Sequence, residues 1–157
     1  MLKNHNCNPA DTEFRHFTPV QIRFNDIDIM GHVNNAIFQD YFDFARLGYF
    51  KEVFGHQLSW DDISLIIAGI SIDYHQTLHL EDNIVVASRT SLIGNKSIRM
   101  VQEIQRLPGN TVTTCSNAVL VAFDAARNCS VQVPAEWRER IIGFEKTVDL
   151  KQGAVSK

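Results

Sequence analysis

The sequence predicts an α+β domain in which a curved antiparallel sheet wraps around one long central helix. Three observations carry this: one long stretch with helical periodicity, four extended runs of strand character after it, and short turns joining the last three runs. At 157 residues, with 45% hydrophobic and 21% charged side chains, the chain has the apolar surface for one compact core. Its 18 acidic against 15 basic residues leave a formal charge of -3, which disfavours a protein that coats nucleic acid or an anionic membrane. The longest apolar runs, Leu65 to Ile70 and Ala118 to Phe123, fall well short of a bilayer span, so no membrane insertion is expected. The first residues lack the apolar segment of a secretory signal. Cys7, Cys115 and Cys129 form an odd set without metal-ligand spacing. A cytoplasmic protein without disulfides or metal is the expectation.

Residues 1–15 and 145–157 are polar and aperiodic and read as flexible tails around a domain at 16–144. Phe17 to Phe24 alternates as a strand and runs into the Asn-, Asp- and Gly-containing segment from Asn25 to Gly31, which reads as a turn. From about Asn35 to Phe54 the period becomes helical. Phe38, Tyr41, Phe42, Ala45, Gly48 and Tyr49 share one side, and Gln39, Asp40, Asp43 and Arg46 the other. Asn34 and Asn35 are suited to cap this helix, its many rings predict burial against a sheet, and Gly48 marks a close backbone approach. Strands are then predicted at Ile63 to His75, Ile84 to Ile93, Ser97 to Leu107 and Thr111 to Phe123. Gly94-Asn95-Lys96 and Pro108-Gly109-Asn110 turn the last three into hairpins, and Asp124 to Ser130 reads as a loop. A last helix follows Pro134 and closes at Gly143.

The chemistry is expected just before the long helix. A carboxylate at Asp28, in a turn leading to the helix start, stands close to backbone N–H groups that lack intrahelical partners. Those donors and the helix dipole can stabilise charge developing on a carbonyl oxygen. Such a pair suits acyl transfer, with Asp28 either attacking the carbonyl or deprotonating a water. The competing reading makes Asp26 and Asp28 turn residues that bond nearby backbone. His32 can likewise contact a substrate or satisfy the turn.

The run Arg23-Phe24-Asn25-Asp26-Ile27-Asp28-Ile29-Met30-Gly31-His32-Val33-Asn34-Asn35, followed by Phe38 and Tyr41-Phe42-Asp43-Phe44-Ala45-Arg46, resembles the hot-dog-fold acyl-CoA thioesterases, in particular the 4-hydroxybenzoyl-CoA thioesterase-like group. Weaker agreement extends the resemblance over Phe17 to Ile142. It implies hydrolysis of an acyl-CoA to a free acid and CoA without a cofactor, the second Asp of the motif, Asp28, as nucleophile or base, and the backbone N–H near Asn35 as the polarising donor. It also implies a homodimer or homotetramer with the thioester at the subunit interface. Gly31, Asn34, Phe38 and Tyr41 are the accompanying candidates for substrate contact. The phosphates of CoA call for cations, for which Lys96 and Arg99, with Arg89 nearby, are candidates.

Phe38 stands where many relatives have Tyr, Asp43 where many have Glu, and Thr77 where many have Pro, departures that bear on substrate preference. Asp40 and Asp43 preserve a variant in which a helical carboxylate acts. His75 and His79 could suggest a metal but lack a third ligand. An acyl-carrier-protein thioesterase and a non-catalytic acyl-CoA-binding protein are the competing functions.

Overall fold

The computed structural model describes residues 13–55 and 63–150. Seven strands and two helices are present among them: β1 (His16–Val20), α1 (Ile37–Phe54), β2 (Ile63–Tyr74), β3 (Asn83–Ile93), β4 (Ser97–Leu107), β5 (Thr111–Asp124), β6 (Cys129–Ser130), α2 (Ala135–Glu145) and β7 (Asp149–Leu150). All seven strands belong to one sheet of order β1-β3-β4-β5-β2, with β6 on β5 and β7 on β3. Every pairing is antiparallel except the two-residue β3–β7 pairing, which is parallel. This is the hot-dog fold: a long curved sheet around one buried helix.

Alternation along the strands decides which side chains meet the helix. Ile98, Met100, Gln102 and Ile104 of β4 are buried on the concave face, and the cross-strand partners Leu120, Ala118, Ser116 and Thr114 of β5 share that face. Against them α1 turns the predicted stripe of Phe38, Tyr41, Phe42, Ala45 and Tyr49, all buried. Each large apolar side chain so enclosed contributes about 2–3 kcal/mol. Gly48 lets α1 approach β1, because a Cβ there would lie 3.3 Å from both His16 Nε2 and Thr18 Oγ1.

Several expectations are corrected. The first strand ends at Val20, and a 3-10 turn at Phe24–Asp26 replaces its predicted continuation, leaving Phe24 exposed. The long helix starts at Ile37 with Ala36 as its N-cap residue. Arg46, predicted on the polar side, is only 5% exposed. Its guanidinium reaches Asp43 and donates to Gln102 Oε1 at 3.1 Å, so the charge is paired under the helix. The last helix passes through Gly143 to Glu145 and is capped by Lys146 at φ 61°, because the Glu145 carboxylate is held inside the molecule. The domain boundary drawn after residue 144 therefore falls within α2, and β7 lies beyond it. Residues 1–12 and 151–157 of the predicted tails, and Cys7 with them, lie outside the described residues. No helix among the described residues is long and apolar enough to cross a membrane.

Candidate active site

Asp26 and Asp28 lie two residues apart and differ in almost every respect. Asp26 is 1% exposed. Its carboxylate accepts the Tyr41 hydroxyl at 2.7 Å, the Arg23 backbone N–H at 2.8 Å and the Arg23 guanidinium at 3.0 Å. Burial alone would raise its pKa, but the Tyr41 and Arg23 hydrogen bonds outweigh it and hold the carboxyl below its ordinary value. The same contact, added to burial, pushes the Tyr41 hydroxyl up. Asp26 and Tyr41 thus tie the turn to the helix.

Asp28 begins a tight loop closed by a bridge between Ile27 and Val33. Its amide donates to the His32 carbonyl at 2.9 Å, and Gly31 donates back to its carbonyl at 3.0 Å. Gly31 takes φ +79°, the left-handed conformation that favours glycine. One carboxylate oxygen of Asp28 accepts the Met30 N–H at 2.8 Å, and the other has no partner among the described residues. The side chain is oriented by its own loop while half of its acceptor capacity stays uncommitted.

The helix start is built alongside. Asn34 Oδ1 accepts the Ala36 N–H at 3.0 Å, and the Asn34 carbonyl accepts that of Ile37 at 2.9 Å. The intervening Asn35 amide has no acceptor among the described residues. Its carbonyl receives the Tyr74 hydroxyl at 3.2 Å, and the Tyr74 ring meets Phe38 edge to face at 5.1 Å. Burial raises the Tyr74 pKa.

These groups enclose a cleft of about 290 Å³ lined by Asp28, His32, Asn35, Phe38, Tyr74 and the segment from His75 to Thr77. Of the predicted residues, Asp28, His32, Asn35 and Phe38 come together here. Gly31 and Asn34 shape the loop and the helix start without lining the cleft. Tyr41 lines a separate cavity with Arg23, Asp40 and Phe44. Lys96 donates to the Ser130 carbonyl at 3.1 Å and, like the exposed Arg99, stands apart from the cleft; Arg89 is buried, donates to the Thr147 carbonyl at 2.8 Å and lines another cavity. Neither Asp40 nor Asp43 lines the cleft. His79 lies in the loop after β2, its ring 5.0 Å from that of His32. No group of three or more His, Cys, Asp or Glu among the described residues could hold a metal ion.

Sequence reasoning missed the wall from Tyr74 to Thr77, which begins 39 residues after Asn35 and lies outside the motif. The available signal was the departure at Thr77. Chemically, an uncommitted carboxylate oxygen and an uncommitted amide at a helix start, sharing a partly apolar cleft, suit attack on a carbonyl and capture of its developing negative charge.

The fold and the cleft define a hot-dog protein equipped for acyl transfer. The thioesterase-like superfamily model matches residues 22–141, and the chain belongs to that superfamily; with its thioesterase relatives this makes it a thioester hydrolase. A thioesterase from Thermus thermophilus, solved with coenzyme A and zinc, superposes with a TM-score of 0.75 at 30% identity, covering 85% of this chain and 96% of that one. The Escherichia coli (strain K12) long-chain acyl-CoA thioesterase FadM is 23% identical over 125 residues, 79% of this chain and 95% of FadM. Slr0204, a 1,4-dihydroxy-2-naphthoyl-CoA thioesterase from Synechocystis, shares the fold with a TM-score of 0.71 at 17% identity, covering 80% and 94% of the two chains.

Proposed function

We propose that this chain hydrolyses the thioester of an acyl-CoA to a carboxylic acid and CoA, with Asp28 as nucleophile or general base. The observation that carries the reading is that one Asp28 oxygen and the Asn35 amide, both without a partner among the described residues, belong to residues lining the same cleft. The Asn35 N–H donates to the carbonyl oxygen, and charge growing there is stabilised by that donor and the α1 dipole. Asp28 then adds to the carbonyl carbon directly or takes a proton from the water that does. On the direct route the thiolate departs to leave an anhydride on Asp28, which water hydrolyses to free the acid and restore the carboxylate; on the other the water oxygen stays on the carbonyl carbon, the thiolate departs with the proton Asp28 took, and the acid is released. Phe38 and Tyr74 supply an apolar wall for the acyl group, and His32 stands at the rim as a polar contact. The acyl-CoA relatives and the coenzyme A carried by the Thermus thioesterase support CoA as the carrier.

The working unit of this reading is at least a homodimer, in the cytoplasm. Strand β2 ends the sheet, with Ile66 and Ile67 exposed on an edge that is unpaired among the described residues, and its last residue, Tyr74, is part of the cleft. Asp28→Asn is expected to reduce thiol release by about a hundredfold or more while leaving the melting temperature intact. Near-normal turnover in the folded variant would exclude Asp28 from the chemistry.

A further inference from the structure

We propose that the side-chain amide of Gln76 is a second hydrogen-bond donor to bound substrate, turned toward it by Arg106; this rests on the acyl-CoA reading above. Gln76 lines the cleft that Asp28 and Asn35 share. Its backbone is fixed, since the amides of His75 and Gln76 both donate to the Thr113 carbonyl of β5, at 2.9 and 3.0 Å. Arg106 Nη1 on β4 donates to Gln76 Oε1 at 3.0 Å. The same guanidinium donates from Nη2 to the Thr77 carbonyl, and its Nε lies 3.1 Å from Asp82 Oδ1.

The chemistry of arginine decides which way the amide faces. A guanidinium has donors and no acceptor, so only the oxygen of Gln76 can turn to it. The two N–H donors lie at the opposite end of the planar amide, and they have no acceptor among the described residues. A cleft whose carboxylate can accept or attack thereby gains a neutral donor that a carbonyl oxygen would satisfy. An acyl-CoA offers two kinds of carbonyl, the thioester itself and the amides of the pantetheine arm. Arg106 acts through Gln76 and is a positioning residue.

The test begins with parent protein releasing thiol from an acyl-CoA, then compares Gln76→Glu, Gln76→Leu and Arg106→Met. Gln76→Glu keeps an oxygen for Arg106 and removes the N–H donors; Gln76→Leu removes both without adding charge. Both are expected to lose about tenfold or more in kcat/KM with unchanged melting. Arg106→Met should lose less, Arg106→Lys should recover part of that loss, and the double variant Gln76→Leu/Arg106→Met should be no worse than Gln76→Leu alone. Repeating the assay with the same acyl group on a simple alkyl thiol separates the two carbonyls. A loss of kcat that persists places the donor on the thioester, and a rise in KM confined to the CoA substrate places it on the pantetheine arm. Turnover of Gln76→Glu within twofold of parent overturns the proposal, as does a Gln76→Leu protein that works normally. If the parent releases no thiol, the hydrolase reading fails by itself. Calorimetric titration with an acyl-CoA then decides on Gln76, and equal affinity in parent and Gln76→Glu overturns its role.

Discussion

Two carboxylates separated by one residue stand in opposite surroundings, Asp26 buried among donors and Asp28 lining the cleft. The Asp26 side chain is surrounded by donors, and removing its charge leaves the buried Tyr41 hydroxyl and two Arg23 groups poorly matched. Asp26→Asn should cost roughly 2–3 kcal/mol of stability, read from denaturant unfolding. Because folding lowers the Asp26 pKa, its contribution is complete above the ordinary carboxylate value and disappears as pH falls through the lowered one. The gap between Asp26→Asn and parent should therefore narrow on acidification, and a gap independent of pH would count against this pairing. Asp28→Asn is expected to do the converse, sparing stability and removing turnover.

Among the elements, the edge of β3 is finished in an unusual way. Strand β1 pairs with β3 from Ile84 to Ser88, and β7 pairs with it at Leu92 and Ile93. In the gap, the Thr90 N–H is taken by Glu145 Oε1 at 2.7 Å, and the Tyr49 hydroxyl donates to the same oxygen at 2.6 Å. A side chain from α2 thus takes the place of a missing strand. Burial pushes the Glu145 pKa up, so the fold favours its neutral form. Its stabilising contribution is present at low pH and fades as pH rises through the raised value. Glu145→Gln offers a carbonyl oxygen to both donors without charge. Its melting temperature should exceed the parent's by a few degrees at neutral pH and converge on it toward about pH 4; the opposite trend would contradict the assignment.

Elements with a strong period were legible in the sequence. The α1 stripe and the long strands β2 to β5 followed from spacing alone, because burial on one side imposes it. What escaped depends on contacts between distant segments. Strands β6 and β7 have two residues each and exist only because β5 and β3 offer them edges. Arg46 looks solvent-facing on a helical wheel, and the buried Gln102 that receives it is 56 residues away. For the site, Asp28, His32, Asn35 and Phe38 lie within one motif and could be read together. The opposite wall at Tyr74 to Thr77 arrives by way of β2, and the departure at Thr77 was its one sign in the sequence.

At the scale of the whole molecule, the homodimer proposed above would form along the edge of β2, the last strand of the sheet. Ile66 and Ile67 are 42% and 39% exposed at a strand that pairs only with β5 among the described residues. A charge at Ile67 should block pairing of a second chain, since lysine on an edge opposes strand addition. Ile67→Lys is expected to sediment as a smaller species than the parent at equal concentration; identical sedimentation would place any interface elsewhere. Tyr74, the end of that edge, also closes one side of the cleft. A chain annealed along β2 would therefore be a neighbour of the bound thioester, and specific activity would obey mass action, falling when the protein is diluted below the dissociation constant of its own pair.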